Sequence, residues 1–271
     1  MAISSGNGNA GELNAEAPHR GEPHAPAMAM AVCSLLNASR TGNDEELRRL
    51  LLRTAGGDVD GAAAQHQPSS SARPSRVPRD VHVSPLERLT YQGDTALHMV
   101  AASGDEENFL KSAGIICRSG RGDMGLLVTP NCNGDTPLHS AATAGNLAMV
   151  RKLIELSKCT ANNGSSATAA AKMLRRENKS GETALHGAIR FGSVGMVRKL
   201  LEEDPELVCI PRSATGTSPL YLAVLLGRDQ IVGEIHKVIA TAPNHISFSG
   251  PDGQTAMHAA VLRGEGETQI S

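Results

Sequence analysis

Apolar residues along this chain come in short bursts at helical spacing, separated by polar turns. Leu35, Leu36, Leu47, Leu50 and Leu51 recur in this way around a Thr41-Gly42-Asn43 break, which predicts two short helices. From about residue 85 the bursts become self-similar. Leu138, Ala141 and Ala142 fall on one face at i, i+3, i+4, and after Gly145 the spacing resumes with Leu147, Val150, Leu153 and Ile154. Leu185, Ala188 and Ile189, then Val194, Val197, Leu200 and Leu201, repeat that plan. The pattern predicts helix pairs over 95–112, 136–157, 183–203 and 218–240, with little or no β-sheet. The fold class is all-α.

Five segments carry the repeat: GDTALHMVAASG at 93–104, GDTPLHSAATAG at 134–145, GETALHGAIRFG at 181–192, GTSPLYLAVLLG at 216–227 and GQTAMHAAVLRG at 253–264. Their hydroxyl residues, Thr95, Thr136, Thr183, Ser218 and Thr255, lie 41, 47, 35 and 37 residues apart. In the second segment Gly134 permits a tight turn, Thr136 is placed to cap the helix, and Pro137 occupies the first helical position, where no N–H is needed. Gly145 then stops the helix. Such helices are marginal alone, because an isolated helix below about 12–15 residues is barely stable in water. Stacking of small, Ala-rich faces supplies the missing burial.

These segments resemble ankyrin repeats, whose period is about 33 residues. The two longer spacings therefore imply insertions, which are expected to bulge from the stack between the first and second repeats and between the second and third. The GDTPLH and GETALH openings, LLEEDPELV at 200–208 and GTSPLYLAV at 216–224 are similar to plant accelerated-cell-death-six-like proteins. That resemblance implies a protein-interaction scaffold in plant defence or cell-death signalling. The alternative it implies is the cytosolic half of a multi-pass membrane protein, channel-like or receptor-like, since that family carries a membrane-spanning PGG domain after its repeats. The expected architecture is an ankyrin-repeat solenoid of stacked helix-turn-helix units over 85–271, with repeats starting near 93, 134, 181 and 216 and a truncated one at 253. Residues 1–27 read as a disordered segment, 28–53 as a degenerate first repeat and 54–84 as a low-complexity linker. The given sequence stops at Ser271, inside the fifth repeat and before any membrane region. Residues 245–271 are accordingly expected to fray and to leave an uncovered end that promotes self-association.

Composition narrows the function. Aromatics make up 2% of the chain and Trp is absent, which suits thin layers of Leu and Ala better than one bulky core. A net charge of -2 gives no electrostatic footprint for nucleic acid. The five cysteines, Cys33, Cys117, Cys132, Cys159 and Cys209, form no C-x-x-C pair, so neither a zinc site nor a disulfide framework is indicated. No stretch reaches the roughly 20 apolar residues of a membrane span. A cytoplasmic chain follows, held at the plasma membrane only if the family resemblance extends that far.

His98, His139, His186 and His258 recur once per repeat, about one repeat apart instead of converging on a metal, and Tyr221 replaces the histidine in the fourth repeat. They read as structural hydrogen-bonding groups. No G-x-S-x-G, phosphate loop or H-E-x-x-H is present, so the chain reads as no enzyme, with no cofactor and no small-molecule substrate. Arg73, Arg76 and Arg79 sit in the Pro/Ser-rich linker and read as solvated charge. The remaining candidate role is protein binding. By the ankyrin resemblance, partners meet turn tips and the edges of the first helices. The matching positions are Tyr91, Asp94 and Ser103; Asn133, Asp135 and Thr143; Lys179, Glu182, Arg190 and Phe191; and Thr215, Thr217, Leu225 and Leu226. Phe191, Leu225 and Leu226 stand out as apolar anchors, with packing against the neighbouring repeat as the competing role.

Overall fold

The structure, a computed structural model, describes residues 24–55, 89–119, 125–160, 166–210, 216–241 and 247–264. Its helices follow in order as α1 (His24–Thr41), α2 (Asp44–Ala55), α3 (Ala96–Ser103), α4 (Glu107–Ser119), α5 (Gly125–Val128), α6 (Pro137–Ala144), α7 (Leu147–Thr160), α8 (Ser166–Leu174), α9 (Ala184–Phe191), α10 (Val194–Glu203), α11 (Pro219–Leu225), α12 (Asp229–Thr241) and α13 (Ala256–Leu262). Among the described residues there is no strand, only an isolated bridge between Ser249 and Thr255. The helix α1 begins at His24, inside the segment read as disordered, and α2 runs to Ala55, just into the segment read as linker.

Two layers result. The first helices α1, α3, α6, α9, α11 and α13 stack in sequence, and behind them α2, α4, α7, α10 and α12 do the same. In the front layer Ala101, Ala142 and Ala188 are fully buried, and so are Leu97, Leu138 and Leu185. Small side chains let short helices approach closely, and the leucines fill the space behind them. The first pair belongs to this stack: Leu35, Leu47 and Leu51 are buried, and Asn43 caps α2 by accepting the Glu46 N–H at 3.1 Å. A cap also crosses between repeats, where the Asp105 carboxylate accepts the N–H groups of Ala148 (3.0 Å) and Met149 (2.6 Å) at the start of α7.

The recurring histidine joins one repeat to the next. In α6 the backbone N–H of Thr136 donates to His139 Nδ1 at 3.2 Å, and the Thr136 hydroxyl lies 2.8 Å from the same nitrogen. The other ring nitrogen, Nε2, donates to the carbonyl of Glu182 at 3.0 Å, in the turn of the following repeat. His98 reaches the Asp135 carbonyl (2.9 Å) and His186 the Thr217 carbonyl (2.8 Å) in the same way. A carbonyl only accepts, so Nε2 carries the proton and Nδ1 must be bare. This fixes the neutral ring in one tautomer. Tyr221 takes over in α11: its longer side chain donates from the phenol to Gln254 Oε1, at the same turn position one repeat on.

The insertions do not simply bulge. Leu126 and Leu127 of α5 are buried, and so are Ala170, Met173 and Leu174 of α8, which packs on α7. Arg175, just beyond α8, clamps this segment to the stack by donating from Nη2 to the buried Asp204 carboxylate at 2.8 Å. Both insertions carry their own apolar residues to the core, which is why they lie down on it.

Two outcomes follow from this packing. Leu138→Ala removes a fully buried side chain and is expected to cost about 2–5 kcal/mol by denaturant unfolding; a loss within experimental error contradicts the layered core. Burial, opposed by the carbonyl hydrogen bond, lowers the pKa of His98, His139 and His186 below 6.5. The unfolded chain then binds protons first as pH falls, so stability is full above about pH 6.5 and declines below it towards the folded-state values. Urea midpoints measured from pH 7.5 to 5 should fall, with a shallower fall in His139→Gln; a flat profile contradicts the neutral-ring arrangement.

Candidate partner-binding face

The turns that precede α3, α6 and α9 are each built around one side chain. Asn131 accepts the N–H groups of Asn133 (2.9 Å) and Asp135 (3.0 Å) with Oδ1, while its amide nitrogen donates to the Asp94 carboxylate of the preceding repeat at 2.9 Å. Asn178 repeats the arrangement on Ser180 and Glu182 and donates to Asp135 at 2.8 Å. Thr90 does the local part of the work in the first full repeat, accepting the Asp94 N–H at 3.0 Å. Backbone bonds add to the ladder, Cys132 N–H to Gln92 carbonyl at 2.8 Å and Lys179 N–H to Asn133 carbonyl at 2.9 Å. Adjacent turns are thus fastened to each other, and their tips are held in register.

This ladder sorts the expected contact residues. Asp94 and Asp135 are half-buried and spend carboxylate oxygens on Asn131 and Asn178. Tyr91, Asn133 and Lys179 are exposed at the tips, and Tyr91 is fully so. Ser103 and Thr143 are exposed on the first helices, and Thr217 is half-buried, its carbonyl held by His186. Thr215 lies outside the described residues. Glu182 and Arg190 form a two-pronged ion pair along α9. Burial works to raise the Glu182 pKa, but the Arg190 hydrogen bond and charge, with two nearby histidines, hold it below its ordinary value.

Phe191 is 54% exposed, Leu225 39% and Leu226 41%. They occupy the ends of two consecutive first helices. Phe191 has a share in packing too, for its ring lies over Gly145, where an added Cβ would stand 2.1 Å from Cζ. Arg228 covers Gly192 in the same fashion and donates to the Arg190 carbonyl at 3.2 Å. Phe248, Met257, Val261 and Leu262, none of them among the expected contact residues, are also exposed. Met257 and Val261 align with the buried Leu138 and Ala142, so periodicity pointed to burial.

The chemistry available here is contact. Among the described residues no three His, Cys, Asp or Glu side chains are grouped to hold a metal ion. Burial pushes the Cys117 thiol up to about 12, which makes it unreactive at neutral pH. Among the described residues no helix is long and apolar enough to cross a membrane.

Comparison with known families gives one match. The family model described as ankyrin repeats (three copies) fits residues 33–163 and again 121–210, together about two thirds of the 271 residues. No curated protein matches the chain.

If the exposed leucines are not part of the core, Leu226→Ser should change unfolding free energy by less than about 1 kcal/mol. A loss comparable with that of Leu138→Ala assigns Leu226 to packing instead.

Proposed function

The chain belongs to the ankyrin-repeat family, and from that we propose that it is a protein-binding scaffold, working through the turn tips and the exposed ends of its first helices, and not an enzyme. Repeats of this kind generally serve protein interaction. The observation that carries the reading is the placement of Phe191, Leu225 and Leu226. Large apolar side chains stand half in water at the ends of α9 and α11, while almost every leucine elsewhere in those repeats is buried. Such side chains at a rigid, repeated edge are the material of interface anchors. Tyr91, Asn133 and Lys179 extend the face at the turn tips, with Asp94, Asp135 and Glu182 setting its register.

The resemblance of GETALH, LLEEDPELV and GTSPLYLAV to accelerated-cell-death-six-like proteins supports a finer assignment to plant defence or cell-death signalling, in the cytoplasm at the membrane's inner face. The same resemblance favours a second reading, in which these repeats are the cytosolic half of a multi-pass membrane protein. Alkaline carbonate extraction separates the two. A product that stays with the membrane supports the second reading, and one released to the supernatant sinks it.

Affinity capture with the whole chain, read by mass spectrometry, tests the scaffold. Arg190→Gln combined with Phe191→Ala should weaken the captured complex roughly tenfold or more while thermal unfolding stays cooperative and shifts far less than for Leu138→Ala. Equal binding by wild type and the double variant moves the interface away from this face.

A further inference from the structure

The face just described is not uniform, and its two halves differ in chemistry. At the end of α3 the helix closes with Ala102 and Ser103, and at the end of α6 with Thr143 and Ala144, all small and exposed. The corresponding positions are Arg190 and Phe191 on α9, Leu225 and Leu226 at the end of α11, and Leu262 on α13, which is 69% exposed. One half therefore offers only small side chains, two of them hydroxyl-bearing. The other offers an apolar ridge.

Cationic charge borders that ridge. The guanidinium of Arg228 lies against Gly192 and binds the Arg190 carbonyl, which puts it beside Phe191 on one side and the end of α11 on the other. Arg228 is exposed and makes no ion pair among the described residues, and its single backbone bond leaves most of its five donors unused. Arg190 adds a second guanidinium, partly neutralised by Glu182. No carboxylate of the described residues answers Arg228, although the chain as a whole carries a net charge of -2.

Resting on the scaffold reading, we propose that the α9–α11–α13 edge is the docking site for an acidic, apolar protein segment, its large side chains meeting Phe191, Leu225, Leu226 and Leu262 and its carboxylates meeting Arg228. Stacked helices stand about 8–10 Å apart. Seven residues of α-helix advance about 10.5 Å at 1.5 Å each. A helix bearing one apolar residue in every seven thus places successive anchors on successive repeats, with acidic residues flanking them. A planar guanidinium with free donors favours carboxylates as the charged element, through paired hydrogen bonds. An anionic membrane would also meet cations and apolar groups, but the negative chain as a whole opposes approach to such a surface.

The test uses the full chain against a displayed random library of 21-residue peptides. Selected peptides should be rich in Asp and Glu with large apolar residues about seven apart. Arg228→Gln, which removes the guanidinium and keeps a shorter polar side chain, should weaken the selected peptides roughly tenfold, and Leu225→Ser with Leu226→Ser at least as much. Thr143→Lys, on the half with small side chains, should leave them unchanged. Selected peptides that lack acidic residues, or that bind Arg228→Gln as tightly as wild type, overturn the proposal. If those peptides still lose affinity on Arg190→Gln with Phe191→Ala, the scaffold reading survives without it; if they respond to neither change, both fall. Phosphatidylserine vesicles provide the remaining arm: sedimentation with vesicles that depends on Arg228, and no peptide enrichment, assigns the edge to lipid and overturns the proposal.

Discussion

One hydrogen bond sets the register of this molecule: the side chain three residues past each helix cap reaches the turn of the next repeat. His98, His139 and His186 donate to the carbonyls of Asp135, Glu182 and Thr217, and Tyr221 reaches Gln254. The acceptor is each time the residue just before the next cap. These partners are 37, 43, 31 and 33 residues apart in sequence, so the bond ignores how much chain intervenes. A one-turn slip of either helix would leave a buried imidazole N–H without an acceptor, at a cost of about 1–3 kcal/mol. The hydrophobic layers alone are forgiving, because Leu and Ala faces slide past each other with little change in buried area. The polar peg is what makes one alignment better than its neighbours.

Freedom elsewhere follows from that constraint. Once the cap, the peg and the receiving turn are fixed, the connection from the end of a second helix to the next turn carries no register information. It can lengthen at small entropic cost, since each doubling of a loop adds only about 0.6 kcal/mol. The stretches holding α5 and α8 occupy these places. Each gains its own hold on the stack, through Leu127 in one and Met173, Leu174 and the Arg175–Asp204 pair in the other.

The fold was legible because its signal is written many times. Five caps, five histidine or tyrosine positions and matching leucines are read from local spacing, and local spacing is what decides these helices. What escaped the reading was the set of contacts between repeats. Asn131 and Asn178 precede their glycines at the same distance, and that coincidence could have exposed the turn ladder. Nothing in the sequence separates Asp94 and Asp135, whose side chains fasten turns, from Asn133, whose side chain is exposed at a tip, because exposure there depends on the neighbouring repeat. Met257 and Val261 show the reverse limit. Their residue types match buried positions in every earlier repeat, and only the three-dimensional neighbourhood shows them in water.

The division of labour within each first helix gives the face its geometry. The side chains at the second, third, fifth and sixth helical positions, such as Leu138, His139, Ala141 and Ala142 in α6, are consumed by stacking. The last two positions before the closing turn lie beyond the stacked surface, so they can vary without disturbing it. Ala102 and Ser103, Thr143 and Ala144, Arg190 and Phe191, and Leu225 and Leu226 are that variation. Phe191 also shows where the freedom stops, since a larger residue than Gly145 beneath its ring would displace it. On the scaffold reading, these positions would offer a partner side chains little constrained by folding but spaced by the pegs, one set per repeat. Selectivity would then reside in which residues occupy them along the row, and here the row changes from small side chains to apolar and cationic ones between α6 and α9.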